Sequence, residues 1–398
     1  MPSSQATAGS HAHGPWLIAN LLAQISFGLM AMTLCLPSMQ EWGAIFATRQ
    51  TDVQLTFSGF VVAYGALQLV YGPLSDRHGR KPILMLGLVV AGLASVMAAL
   101  ATDIATLTAA RVLQGAGCAA SMVVSRSMVQ DLFAGPQRTR VMAYIGMALG
   151  LCPPLATLMG GQIHVRFGWQ GNFVLLAVLA TLLLLAAWCL PRVAKPAPAP
   201  GHWLRAMLSA YARLGREPRF LLYVAILATT TATFYAFLAG APIVLKGYGI
   251  GPDGIGWFIM AVPLSYIVGN FMTSRWIQRL GEARVMAWGQ ALTLGGLVLM
   301  LALGLANVQS ALAVALPMLL MGFGHGLINP PALAGTVSVL PALAGSAAAV
   351  AGLMQQLTGA TGGYLVGLVP HEGAVNLGWM MLGFALLAAA AQFFLHLR

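Results

Sequence analysis

Long apolar stretches follow one another along this chain with little between them, and that pattern leaves few ways to fold. A membrane-spanning helix needs about 20 mostly apolar residues. Twelve segments qualify: 16–38, 54–75, 82–101, 104–128, 139–162, 170–190, 219–242, 254–276, 284–305, 309–330, 344–368 and 376–396. Inside hydrocarbon every backbone N–H and C=O must find its partner within the segment, which selects helices. The expected fold is an all-α polytopic membrane protein with twelve transmembrane helices. Only 7% of residues are charged, against roughly 25% in soluble domains, so a soluble enzyme is excluded. Disorder is excluded by the 59% hydrophobic content.

The long spacer at 191–218 divides the chain. It holds Pro191, Pro196, Pro198 and Pro200, then a basic amphipathic stretch from His202 to Arg219. The expected organisation is a tail at 1–15, a six-helix bundle at 16–190, a linker with an interfacial helix at 191–218, and a second six-helix bundle at 219–398. Loop charges set orientation. With both termini cytoplasmic, the inside loops hold Arg77, Arg80, Lys81, Arg138, Arg140, Arg192, Lys195, Arg205, Arg213, Arg216, Arg219, Arg275, Arg279, Arg284 and Arg398. The outside loops hold only Arg49, Arg166 and Lys246. This bias accounts for the net charge of +11 without a nucleic-acid partner. The cysteines, Cys35, Cys118, Cys152 and Cys189, have neither disulfide nor metal-site spacing.

Gly72-Pro-Leu-Ser-Asp-Arg-His-Gly-Arg-Lys81 follows the second span, and Ser274-Arg-Trp-Ile-Gln-Arg-Leu-Gly281 stands in the same place after the eighth. The second is a decayed copy of the first. Two related halves imply alternating access around a site between them. In the first copy, Gly72 and Gly79 permit close approach and a tight turn. Asp76 lies among cations at the membrane surface, within reach of Arg80. Such a loop either holds one side of the protein shut or simply fixes topology.

The pattern G-x-L-x-D-R-x-G-R-K resembles the signature of the major facilitator superfamily, and Arg111-Val-Leu-Gln-Gly115 resembles that family's R-x-x-Q-G motif. The resemblance implies the major facilitator fold of two pseudo-symmetric bundles, with an inner gate involving Asp76, Arg77 and Arg80, joined by Asp131. Within the family the chain resembles the Bcr/CflA drug-resistance exporters. The segments carrying this are Asp131-Leu-Phe133 with Arg138 and Arg140, Gly168-Trp169, Gly240-Ala-Pro242, and Ala344-Gly-Ser-Ala347 leading to Gln355. The implied activity is proton-driven export of small amphipathic compounds, such as phenicol-type antibiotics.

Two departures matter. The G-P-x-x-G-G signature of helix 5 reads Ala156-Thr-Leu-Met-Gly-Gly161, with Pro153 and Pro154 one turn earlier. A kinked, Gly-rich helix there can still pack closely and seal the outside. The subfamily's helix 1 Asp is absent from Thr33-Leu-Cys-Leu-Pro37, and none of the nine acids lies mid-helix. Candidates for proton coupling are therefore His325, Asp52 and Asp103, with Asp76 and Asp131 at the gate. Histidine titrates near physiological pH; otherwise His325 is a neutral, hydrogen-bonded packing residue.

A central Arg costs about 2.5–3.5 kcal/mol on insertion scales. Arg111 should therefore face a cavity or a partner, unless it snorkels outward. In the family's fold, helices 1, 4, 7 and 10 line the cavity and helices 2, 5, 8 and 11 support it. That makes Gln24, Met30, Thr33, Tyr64, Arg111, Gln114, Met122, Phe234, Tyr235, His325 and Asn329 the candidate substrate contacts. A pocket with Arg111 and no carboxylate favours neutral or anionic substrates. A metabolite exporter for nucleosides, amino acids or sugars is the alternative, and a membrane sensor a more remote one. No P-loop, G-x-S-x-G elbow or His/Glu metal spacing points to an enzyme or an ATP-driven pump. No cofactor or metal is expected. The partners are a small molecule, protons and lipid, for a monomer in a bacterial inner membrane.

Overall fold

In the computed structural model, the described residues are 14–133, 135–191, 203–340, 343–370 and 373–397. Most of the N-terminal tail and the Pro-rich part of the linker lie outside them. All the regular structure described is helical. The first half comprises α1 (Pro15–Thr33), a short α2 (Met39–Ile45), α3 (Gln50–His78), α4 (Arg80–Ala99), α5 (Ile104–Leu132) and α6 (Gly135–Trp188). The second comprises α8 (Pro218–Gly247), α9 (Pro252–Ile259), α10 (Ala261–Leu280), α11 (Glu282–Leu305), α12 (Ala311–Ser338), α13 (Ala344–Val366) and α14 (Val375–His396), with α7 (Trp203–Leu214) between the halves.

Ten helical stretches are long and apolar enough to cross a membrane among the described residues. Two further crossings fall outside that number for local reasons. The 54-residue α6 folds back at Gly168, whose φ of +75° is non-helical, so it holds two crossings. Helix α13 spans 23 residues but carries Gln355, Gln356 and several Gly and Thr residues. Bulky apolar side chains such as Leu93, Leu185, Trp288 and Phe393 stand exposed on α4, the second arm of α6, α11 and α14. They form the surface that requires lipid.

The sequence copy is a structural copy as well. Gly79 separates α3 from α4 with φ +100°, and Gly281 separates α10 from α11 with φ +78°. Each turn needs the left-handed region that glycine occupies without a Cβ penalty. A Cβ at Gly87 of α4 would stand 2.7 Å from the Gly117 carbonyl oxygen of α5, and a Cβ at Gly289 of α11 would stand 2.7 Å from that of Gly324 on α12. Gly115 packs on the Phe60 carbonyl, and Gly322 on the Val262 carbonyl. Small residues bring the backbones together, the usual packing of helices in lipid.

The halves meet mainly away from the Gly79 and Gly281 turns. Helix α3 runs along α13, with Gly367 against Thr51, Gly363 against Phe57 and Gly65 against Gln356. The first arm of α6 runs along α9 and α10, with Gly161 against Pro252, Leu158 against Gly256 and Gly150 against Ile267. One apolar core embraces both halves at this end, through residues such as Trp42, Phe57, Phe237 and Leu245. At the opposite, basic end the second half has its own separate core around Phe220, Leu227 and Met286. The molecule is sealed at one end, and its halves diverge toward the other.

Candidate functional site

The seal is built mainly from backbone carbonyls that accept from neutral side chains and one lysine. Gln40 donates to the Pro242 carbonyl at 2.5 Å, Gln54 to that of Ala239 at 3.2 Å, and Ser58 to that of Ala360 at 2.9 Å. Lys246 returns a bond to the Gln40 carbonyl at 2.9 Å. Pro242 lies within α8. Nearer the membrane centre, the Tyr235 hydroxyl donates to Gln356 Oε1 at 2.8 Å, and its ring meets Phe57 edge-on at 5.8 Å. Gln355 donates to the Thr231 hydroxyl at 3.1 Å. Tyr64 stacks on Phe60 at 5.8 Å, with its buried hydroxyl unpartnered. Tyr235 and Gln356 thus tie α8 to α13, while Tyr64 is fully buried within α3. Phe234 is half-buried beside Tyr235.

Arg111 lies elsewhere. It is fully buried inside the first half. Its guanidinium donates to the Ala31 carbonyl at 2.8 Å, the Met32 carbonyl at 3.5 Å and Gln114 Oε1, and lies 4.3 Å over the Phe60 ring. Gln114 in turn donates to Ser95 Oγ at 2.7 Å. The cause lies in α1, which stops at Thr33, four residues before Pro37. That break frees the Ala31 and Met32 carbonyls, and a cation at the negative end of a helix is favoured. Arg111 and Gln114, expected at the cavity, thus serve as an internal cap. Gln24 is also turned into its own half, donating to the Leu183 carbonyl at 2.9 Å. Thr33 is buried and bonds the Leu29 carbonyl at 2.9 Å. Met30 is half-buried and Met122 buried.

His325 is 4% exposed in α12, and no hydrogen bond to its ring is present among the described residues. Glycines at 324 and 326 bring its helix against α11 and α10. Asn329, one turn on, keeps a buried Oδ1 without a partner. The two residues occupy one helix but make no bond to each other.

At the basic end, Arg80 joins three helix ends. Its Nε donates to Asp131 Oδ2 at 2.9 Å, its Nη1 to Ser75 Oγ at 2.7 Å, and it pairs with Asp76 one turn back. Arg77 is exposed, and Gly72 packs loosely on Val123. At the sealed end, Asp52 pairs with Arg49 at 3.2 Å. Asp103 caps α5, where the Thr106 amide and hydroxyl hold its carboxyl below the usual range. Pro153 and Pro154 lie within the first arm of α6; Thr157 donates to the Pro153 carbonyl at 2.9 Å. Gly160 meets the Leu34 carbonyl at the α1 break, and Gly161 meets α9 across the seam.

Sequence reasoning passed over His164, Ser38, Glu41 and Asn172, which the fold gathers into one bonded chain at the sealed end. They come from three separate segments, and no spacing in the sequence links them. It also passed over Gln356, whose neighbour Gln355 carried a family pattern.

The chain matches the sequence profile described as Major Facilitator Superfamily over residues 17–363. It is 28% identical over 374 residues to "Multidrug resistance protein D" of Escherichia coli, covering 92% of each chain. It is 27% identical to "Chloramphenicol resistance protein" of Pseudomonas aeruginosa, over 94% of this chain and 88% of that one. To "Bicyclomycin resistance protein homolog" of Haemophilus influenzae it is also 27% identical, over 94% and 96%. Among solved structures, a bacterial homologue of the lysosomal transporter Spinster, inward-facing and unoccupied, superposes with TM-score 0.76 at 14% identity, covering 98% of this chain and 97% of that one. A D-xylose–proton symporter superposes with TM-score 0.74 at 16% identity, over 95% and 96%.

Proposed function

The chain belongs to the Major Facilitator Superfamily, and on that premise we propose that it is a proton-coupled exporter of small amphipathic drugs that are neutral or anionic, phenicol-type antibiotics among them. The observation that carries this reading is the near full-length similarity to three relatives named for drug resistance. The seam supports the substrate preference. Tyr235, Gln355 and Gln356 supply aromatic and neutral hydrogen-bonding groups at the seam, and no carboxylate lies mid-helix among the described residues. A mostly apolar pocket with a few placed polar groups suits such ligands.

The basic end faces the cytoplasm in this proposal, because Lys and Arg gather in cytoplasmic loops. The described conformation is then inward-facing. The halves, 16–190 and 219–398, rock about the seam while the Arg80 cluster travels with the first half. Asp76 and Asp131, bound to Arg80 here, are the acids available to contact the second half when the inner side closes. Arg111 acts indirectly, by fixing the α1 break that carries Ser38 and Gln40 to the outer seal. His325 and the helix-end acids Asp52, Asp103, Asp76 and Asp131 are the candidate proton carriers, and the protein works as a monomer in a bacterial inner membrane.

The test uses energised inverted membrane vesicles and a pH-sensitive dye. Phenicols, bicyclic antibiotics, sulfonamides, nucleosides and quaternary cationic dyes are added in turn. Proton release evoked by the neutral or anionic drugs is the expected result. Release evoked only by cationic dyes overturns the substrate class. A response to nucleosides alone makes the protein a metabolite exporter, and silence across the panel with verified insertion overturns antiport.

A further inference from the structure

We propose that His164 and Glu41 form a proton-operated latch on the outer seal, so that an acidic exterior holds the protein inward-facing. The inference concerns the seal rather than the transported compound. It rests on the orientation proposed above and does not require that a proton be carried across.

His164 lies in the last turn of the first arm of α6, before the Gly168 bend, is buried, and has both ring nitrogens engaged. Its Nδ1 lies 2.9 Å from Ser38 Oγ and its Nε2 lies 3.0 Å from Glu41 Oε2. Asn172, from the second arm of α6, donates to the same Ser38 Oγ at 2.9 Å. Glu41 is the exposed member of the chain, with 43% of its side chain open. A proton can therefore arrive from water at one end of a network whose other members are enclosed.

The bonding has two self-consistent states. With the imidazole neutral, Asn172 donates to Ser38, Ser38 donates to Nδ1, and Nε2–H donates to the Glu41 carboxylate. With the ring protonated, Nδ1–H donates to Ser38 and the ring faces Glu41 as an imidazolium–carboxylate pair. Charge-assisted bonds are roughly twice as strong as neutral ones: on protonation the Nδ1–Ser38 bond becomes one, and the Nε2–carboxylate bond, charge-assisted already, becomes an ion pair. Protonation thus tightens the hold of α6 on α2.

What is held matters for the seal. Ser38 is the N-cap of α2, and Gln40 and Glu41 are neighbours in its first turn. Gln40 is the residue that bonds the Pro242 carbonyl and receives Lys246 from the second half. The next turn of the same α6 arm carries Gly160 and Gly161, which touch the α1 break and Pro252 of α9. A tighter His164–Glu41 pair therefore braces, within the first half, the two places where that half meets the second: Gln40 on α2 and Gly161 on α6. The other charges nearby serve other partners. Lys246 of α8 is bound to a backbone carbonyl, Asp103 caps α5 and accepts from Thr106, and Arg49 pairs with Asp52 on α3. Arg166, two residues on in α6, is exposed, and α9 offers the backbone of Asp253 against Gly161. Glu41 is the carboxylate that meets the ring.

The test reads the outer side directly. Spin labels at T102C and V308C mark exposed loops of the two halves, in the full chain with C152A and C189A, reconstituted in liposomes. The inter-label distance distribution is measured with pH 7.5 on both sides, then with either side brought to pH 5.5. The expected result is a shift toward the short, closed distance when the exterior is acidified. H164Q and E41Q should each remove the shift while melting normally. A distribution insensitive to pH overturns the latch, as does a shift that persists unchanged in H164Q. A shift that follows interior pH and disappears in H164Q supports the latch and overturns the orientation instead.

Discussion

The two halves share one backbone plan but fill it with opposite chemistry. Counting from the paired glycines Gly87/Gly289 and Gly117/Gly324, the positions of Ser95, Arg111 and Gln114 in the first half correspond to Leu297, Met318 and Met321 in the second. All six are buried. The first half bonds three polar groups where the second packs three apolar ones. At the basic end Asp76, Arg80 and Asp131 correspond to Gln278, Glu282 and Ser338. The first three close on one another. Glu282 and Ser338 instead border a pocket of about 490 Å3, shared with Glu217 and Tyr223. The glycine framework thus sets the architecture, while the bonded Ser95–Arg111–Gln114 set belongs to the first half only. There it ties α5 to the α1 break, the region that crosses to α8.

Transplanting the apolar set gives the largest expected effect. The triple substitution S95L/R111M/Q114M should cost less thermal stability than R111A, because apolar side chains fill the space and remove Ser95 and Gln114 with the charge, leaving only the Ala31 and Met32 carbonyls unsatisfied. Transport should nevertheless fall to background, since the α1 carbonyls lose their cap. Retained export would show that Arg111 merely fills space, as Met318 does. The single substitution R111A should lose transport and also about 3 kcal/mol of stability, since hydrogen bonds to charged groups contribute about 1.5–3 kcal/mol each. Thermal melts with drug-uptake assays separate the two outcomes.

G117A and G324A test the framework itself. A Cβ at Gly117 would lie 2.5 Å from the Ala91 nitrogen, and one at Gly324 would lie 2.5 Å from Thr293 Oγ1. Overpacking costs typically about 1–3 kcal/mol. Equal losses in the two melts would confirm equivalent packing, and a strong inequality would break the comparison. R80Q against E282Q is a smaller contrast. R80Q strands Asp76 and Asp131, which are partly exposed, so about 1 kcal/mol is expected. E282Q should be near neutral by the same melt.

The smallest effect lies at the matched N-caps, Asp103 of α5 and Ser310 of α12, whose bonds to Thr106 and Leu312 measure 2.8 and 3.3 Å. The Asp103 carboxyl is held below its usual range. Its contribution is complete above the ordinary carboxylate value of about 3.9 and is lost as pH falls through the lower, folded value. D103N should therefore flatten the acid limb of stability below about pH 4. S310A should leave that limb unchanged.

Much of this was legible in the sequence. Twelve spans emerge from apolar length alone, since lipid forces each backbone to satisfy itself. Gly79 and Gly281 mark the same turn twice. Asp76, Arg80 and Asp131 meet because a motif fixes two of them and helix α5 brings the third. The misplaced residues share one cause. Arg111, Gln114 and Gln24 are polar within spans, and a span read alone has no inward direction. Whether such a side chain faces a cavity or its own bundle depends on where α1 breaks, and the consequence of Pro37 shows only in three dimensions. The His164 chain was hidden for a related reason. Ser38, Glu41, His164 and Asn172 lie at helix ends, where single polar residues are ordinary.

The internal cap also bears on how the protein is made. Arg111 and its acceptor at Ala31 are 80 residues apart, so α1 reaches the bilayer three crossings before the guanidinium that completes it. Until then α1 carries open carbonyls, and α5 on arrival carries a charge that hydrocarbon rejects by about 2.5–3.5 kcal/mol. Each cures the other's defect. The insertion machinery must keep α1 close at hand until α5 emerges, which makes the first four crossings a single consignment to the lipid.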